Sequence, residues 1–253
     1  MFDRRLLLAA AAATAFLLVA SGASADPVNT FAGVSAPSHV KPVTSASYTV
    51  GLTNDASSPE AADRAKIAIP PGFAVDAVQA TTSAAGVCQS STWIADGDLI
   101  ADGKINLTRP GLSPSDELCP GATLTVVFSA TSPGAEGIFT WTSELLRGVI
   151  SFALAGAQPT VQVDGTAPEV AITAAPGNPS NDGSPSFAFD ADEPALFQCS
   201  VDGAPFLACF SPQTYIALGA GAHQFSVKAT DLAGNEGPAT SYGWTIDTTA
   251  PTT

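Results

Sequence analysis

Apolar side chains recur at every second residue of this chain, in short runs separated by Gly, Pro, Asn and Asp. The clearest run is Tyr48, Val50 and Leu52, alternating with Thr49, Gly51 and Thr53 before Asn54-Asp55. A period of two puts those three apolar residues on one face of a strand, and that face needs a second sheet to cover it. Further strands are expected over 65–69, ending at Pro70-Pro71-Gly72, and over 73–78, 104–108, 123–128, 137–142, 149–153 and 160–163. Asp102-Gly103, between Leu99-Ile100 and Ile105, predicts a two-residue hairpin turn. In the second half, Phe187 and Phe189; Phe197, Cys199 and Val201; His223, Phe225, Val227 and Ala229; and Tyr242, Trp244 and Ile246 each keep the period. These predict four strands with one aromatic-rich face apiece. Long helical periodicity is absent after residue 25, so the pattern predicts an all-β fold.

Composition sharpens this. Gly and Pro number 22 and 20 while charged residues are only 13%, as in a chain of short strands joined by turns. At the N-terminus, Arg4 and Arg5 precede an apolar run over 6–20, and Ala23-Ser24-Ala25 offers small residues where a signal peptidase reads. That run is shorter than the roughly 20 residues needed to span a bilayer. Residues 1–25 therefore read as a cleaved secretory signal, and no membrane insertion is expected after cleavage. The remaining 228 residues hold two sandwich domains of about 100 residues each.

The chain carries a formal charge of -14, and loss of Asp3, Arg4 and Arg5 makes it -15. Residues 26–165 have 13 acidic against 6 basic side chains, and residues 166–253 have 9 against 1. Both halves repel phosphate backbones and anionic headgroups, so nucleic acid is excluded as a partner. An unidentified protein or glycan at the cell surface remains.

Phe197-Gln198-Cys199-Ser200-Val201-Asp202-Gly203 is followed by Cys209 and then by His223-Gln224-Phe225-Ser226-Val227-Lys228-Ala229-Thr230-Asp231-Leu232-Ala233-Gly234-Asn235. Together these residues resemble a repeat of extracellular immunoglobulin-like modules in bacterial surface proteins, written F-x-C-S-[LV]-D-G…C…G-x-H-x-F-x-V-[KR]-A-T-D-x-A-G-N. The resemblance covers 166–253. In the first half, Tyr48 to Asn54, Ile69-Pro70-Pro71-Gly72-Phe73, Pro120-Gly121-Ala122-Thr123-Leu124-Thr125-Val126 and a closing strand near Val161 resemble immunoglobulin-like modules of bacterial cell-wall and secreted proteins. The resemblance implies two tandem immunoglobulin-like antiparallel β-sandwiches, over 26–165 and 166–247. Asp164-Gly165-Thr166-Ala167-Pro168 and Asp247-Thr248-Thr249-Ala250-Pro251 are near copies, 83 residues apart. Such junctions mark tandem arrays, which makes 248–253 the start of a truncated repeat or a C-terminal tail.

Four cysteines in an exported chain imply two disulfides. Three pairings exist on paper, and the domain partition favours Cys88 with Cys119 and Cys199 with Cys209. The cysteines lack the close paired spacing of zinc sites, and His39 and His223 are the only histidines. His223 falls on the apolar register near a strand start and reads as structural. Phosphate loops, nucleophile elbows and metalloprotease helices are all missing. The carboxylate pairs Asp190 with Asp192, Asp116 with Glu117 and Asp96 with Asp98 read as solvated loop charges rather than a glycosidase pair.

Two site hypotheses survive. Calcium needs several oxygen ligands, and Asp164, Asp231 and Asp247, or the cluster Asp190, Asp192 and Glu193, would lie near module ends. The competing account makes Asp231 to Asn235 a turn bonded to its own backbone. Trp93, in a segment that reads as irregular beside Cys88, is the one tryptophan expected to offer an exposed plane for a sugar ring, since Trp141 and Trp244 read as core. Asn106-Leu107-Thr108 matches a glycosylation sequon, and the bacterial origin that the resemblance implies leaves it without consequence. The expected role is that of a non-catalytic secreted or cell-surface spacer, adhesin segment or scaffold, with no enzyme activity and no resident cofactor. The alternative is a carbohydrate-binding or accessory module of an extracellular enzyme.

Overall fold

The computed structural model describes residues 28–32, 38–155 and 157–250. The expected signal segment lies outside them.

The first module consists of β1 (Val28–Ala32), β2 (His39–Val40), β3 (Ser45–Asn54), β4 (Arg64–Ala68), β5 (Ala74–Thr82), β6 (Thr92–Ala101), β7 (Lys104–Thr108), β8 (Thr123–Thr131), β9 (Gly137–Thr140), β10 (Ser143–Arg147), β11 (Ile150–Ser151), β12 (Ala153–Ala155) and β13 (Thr160–Val163). Ten of these strands form one sheet in the order β11-β10-β4-β7-β6-β5-β8-β3-β1-β12. Its end strands are separated in sequence by Phe152 alone, so the sheet curls until its ends meet. β6 makes the crossing: Thr92 and Trp93 pair with β5, and Ile94 onward pairs with β7. A separate sheet, β2-β13-β9, adjoins the linker to the second module. The enclosed core centres on stacked Tyr48 and Phe128, 5.6 Å apart, with Trp141 at 4.9 Å from Phe128 and Phe73 at 5.0 Å from Trp141. Alternation over Tyr48, Val50 and Leu52 buries all three, as the period of two requires.

The second module consists of β14 (Val170–Ala174), β15 (Ser186–Ala191), β16 (Ala195–Val201), β17 (Leu207–Cys209), β18 (Gln213–Thr214), β19 (Gly221–Asp231) and β20 (Thr240–Ile246). A three-stranded sheet β14-β15-β18 faces a four-stranded sheet β17-β16-β19-β20. Phe187 stacks on Phe225 at 4.2 Å across the gap, and Trp244 closes on Phe187 at 5.0 Å. The buried residues form two separate clusters, one from Val40 to Val163 and one from Val170 to Ile246. The protein is thus all-β, with two tandem sandwiches and, among the described residues, no helix long and apolar enough to cross a membrane.

Several expectations need correction. Residues 149–153 are not one strand: Gly148, at φ +60°, turns the chain back after β10, and Phe152 then separates β11 from β12. The second module has seven strands rather than four: β17 and β18, at three and two residues, are too short to show a period, and β14, without aromatic residues, was not among those expected. Among the described strands, pairing is antiparallel except where β1 meets β12 and β2 meets β13, both parallel, and an isolated bridge from Ser180 to Ile246 is also parallel. The predicted Asp102-Gly103 turn forms, with φ of +51° and +68°, as its type demands. The two disulfides join Cys88 to Cys119 and Cys199 to Cys209.

Candidate functional site at the module junction

The junction is built from local turn chemistry. β19 ends at Asp231, whose buried carboxylate accepts from the Asn235 amide and from Asn235 Nδ2, both at 2.8 Å. Gly234, at φ +91°, completes the turn where a side chain would be strained. The same Asn235 Nδ2 donates to the Asp164 carbonyl at 2.8 Å, tying the second module to the first residue after β13.

Asp164 is held by its own neighbours. Its amide donates to Val40 O at 2.9 Å. Its Oδ1 accepts from the Thr166 amide at 3.0 Å and its Oδ2 from Gln162 Nε2 at 3.2 Å. Glu136 reaches over to accept from the Gly165 amide at 3.1 Å, a contact that needs glycine because a Cβ there would lie 2.9 Å from both Glu136 Oε1 and Pro42 Cγ. The linker is therefore fastened on both sides rather than left to solvent.

Into this joint the β15–β16 turn inserts Glu193. Carboxylate oxygens of Asp164, Glu193 and Asp231 all lie within 4.8 Å of one another. Beside them is a small cavity of about 80 Å³ lined also by His39, Gln162, Pro194 and Leu232. Burial, followed by the charges of Asp164, Asp231, Asp192 and Glu136, raises the Glu193 carboxyl above its ordinary value of 4.5. Three converging carboxylates can supply three or more of the six to eight oxygens that calcium takes, with water completing the shell.

The structure thus gathers Asp164 and Asp231 from one proposed calcium set and Glu193 from the other. Asp247 is elsewhere: it follows β20 at the far end of the module, where it accepts from the Thr249 amide and hydroxyl. Asp192 accepts from the Glu169 amide at 2.8 Å, and Asp190 bonds the adjacent Ala191 amide.

The sugar-platform expectation is overturned. Trp93 lies in β6 and is 3% exposed, because the crossing of β6 between the two halves of the curled sheet turns its indole into the core. Sequence reasoning also missed Glu117. It is no solvated loop acid: its side chain is 11% exposed and bridges Arg109 Nη1 at 2.7 Å and Arg147 Nη1 at 3.5 Å. Asp96 likewise pairs with Arg64 at 3.3 Å. No local signal could have joined Arg109, Glu117 and Arg147, which come from three separate segments.

A second concavity, of about 220 Å³, lies beside the Cys199–Cys209 disulfide and is lined mainly by Val201, Ala204, Pro205, Leu207, Ala208 and Tyr215. Phe210, after β17, is the large aromatic most exposed among the described residues.

No family model matches this chain, and no curated protein matches it. Among solved structures it is similar to the fibronectin(III)-like modules of CbhA from Clostridium thermocellum, at 15% identity over 84% of this chain and 93% of that one, with a TM-score of 0.33. It is similar to the 35 kDa C-terminal fragment of the major pilin GBS80 of Streptococcus agalactiae, at 10% identity over 87% and 92%, TM-score 0.33. The Actinomyces fimbrial adhesin FimA aligns at 14% identity over 85% and 96%, TM-score 0.30. The all-β assignment rests on this chain's own strand pairing.

Proposed function

We propose that this protein is a non-catalytic extracellular element whose two sandwiches are held in fixed relation, as a spacer, adhesin segment or scaffold outside a bacterial cell. The observation that carries the reading is the bond from Asn235 to the Asp164 carbonyl, which couples the modules through a turn already locked by Asp231. A flexible tether would leave those linker groups to water. Two disulfides and an acidic surface support an exported, soluble setting. Within the same proposal, Asp164, Glu193 and Asp231 are the residues that would take a calcium ion and stiffen the joint further.

Amide ¹⁵N relaxation across the full chain tests the reading. Rigid coupling gives both modules one rotational correlation time. Two distinct times would overturn it.

A further inference from the structure

We infer that His223 is a proton-dependent clasp at the end of the second module remote from the junction. The ring sits at the start of β19 against the indole of Trp244, with centroids 5.4 Å apart. Its Nδ1 lies 2.8 Å from Asp202 Oδ2, in the turn between β16 and β17, and its Nε2 lies 2.9 Å from the Gly219 carbonyl oxygen. Both partners are acceptors. A neutral imidazole has one N–H and one lone pair, so either tautomer satisfies one acceptor and sets a lone pair against the other. Only the imidazolium donates to both.

Asp202 cannot turn aside cheaply. Its Oδ1 accepts from the Gln224 amide at 2.9 Å, and its own amide donates to the Gln224 carbonyl at 2.8 Å. Among the described residues, Asp202 is the one charged group that faces the ring; β20 offers it an indole and the loop before β19 a peptide carbonyl. The bond to Asp202, then that to Gly219, raises His223 above 6.5 against the opposing effect of burial. Burial pushes Asp202 upward, but its bonds from His223 and the Gln224 amide outweigh that and bring it below 3.8.

The sign follows from linkage. A histidine whose folded pKa exceeds its unfolded value contributes stability that is complete below about 6.5 and is lost as pH rises through the folded value. On the acid side the contribution fades as pH falls through the lowered Asp202 value. On deprotonation the remaining N–H stays with the stronger acceptor, the carboxylate, so the Gly219 side lets go. That segment follows Tyr215, a wall of the concavity beside the second disulfide, and carries Ile216, which is largely exposed. The clasp therefore sets how firmly that wall is held.

The test is an NMR titration of the full chain. The His223 ring nitrogens are followed from pH 5 to 9 together with hydrogen-exchange protection at 217–221, corrected for intrinsic exchange. The expected result is a doubly protonated ring at low pH and a titration above about 6.5. Protection at 217–221 should fall through the same range, by up to tenfold per unit of upward shift, and more than at 202–203. Asp202→Asn should bring the titration down to the ordinary value or lower, and His223→Gln should abolish the pH dependence. A wild-type His223 titrating at or below 6.5, or protection that ignores the titration, overturns the inference without recourse to either variant.

Discussion

Asn235 Nδ2 lies 2.8 Å from the Asp164 carbonyl oxygen and equally 2.8 Å from Asp231 Oδ2, so one amide group closes a turn and joins two modules. Asn235→Ala removes both bonds and leaves one oxygen of a buried carboxylate without a donor. The expected cost to the second module is about 1–3 kcal/mol, and the two correlation times of the relaxation experiment should separate. A variant as stable and as rigidly coupled as wild type would show that the bond does not hold the joint.

Calcium should raise the thermal midpoint. Asp164, Glu193 and Asp231 come from the linker and from two turns of the second module, and an ion that binds only their folded arrangement stabilises by mass action. The midpoint in millimolar calcium is expected to exceed that in chelator by several degrees. Asp231→Ala and Asp164→Ala should abolish the gain. Asp247→Ala should leave it intact, since that carboxylate is engaged with Thr249. An equal midpoint in calcium and chelator would leave the cluster as a set of turn-forming acids.

Tyr48 is fully buried, and its hydroxyl has no hydrogen-bond partner among the described residues. Its ring packs on Phe73, Phe128 and Trp141, so the apolar body carries the packing. Tyr48→Phe keeps those contacts and removes a buried polar group, and it should raise stability by about 1 kcal/mol in denaturant titration. A comparable loss would mean the hydroxyl is satisfied in solution.

Glu117 answers two arginines from a site shielded from water. Glu117→Ala strands Arg109, whose side chain is itself 18% exposed, and should cost about 3 kcal/mol. Pairing it with Arg109→Met should recover part of that loss, since the stranded charge goes too. A double-variant cost equal to the sum of the separate Glu117→Ala and Arg109→Met costs would exclude coupling between the two side chains.

The Cys199–Cys209 bond ties β16 to its edge strand β17. Replacing both cysteines by serine should cost about 3 kcal/mol by loop-closure arithmetic. For a module of this size that lowers the midpoint by roughly 12–24 °C. A shift of only a degree or two would mean that packing of Phe187, Phe225 and Trp244 holds the module without its staple.

Local pattern was enough for the strands whose apolar residues alternate over four positions or more, such as Tyr48 to Leu52 and His223 to Ala229, because a pleated strand half-buried on a core imposes that period on its own residues. It was enough for the Asp102-Gly103 turn, where positive φ at two successive residues selects the residue types. The assignment of one cysteine pair to each module came from the domain partition, which leaves a single pairing within each. Tertiary structure decided what depends on contacts between distant segments. Trp93 reads as loop until β6 crosses between the halves of the curled sheet and turns it inward. Glu117 reads as a solvated acid until Arg109 and Arg147 close over it. His223 was legible as structural, but not as a ring caught between two acceptors. At the junction, Asp164 and Asp231 stood out by residue type and module boundary, whereas Glu193 rather than Asp247 joined them, because the joint selects carboxylates by the turn that reaches it and not by repetition of a sequence phrase.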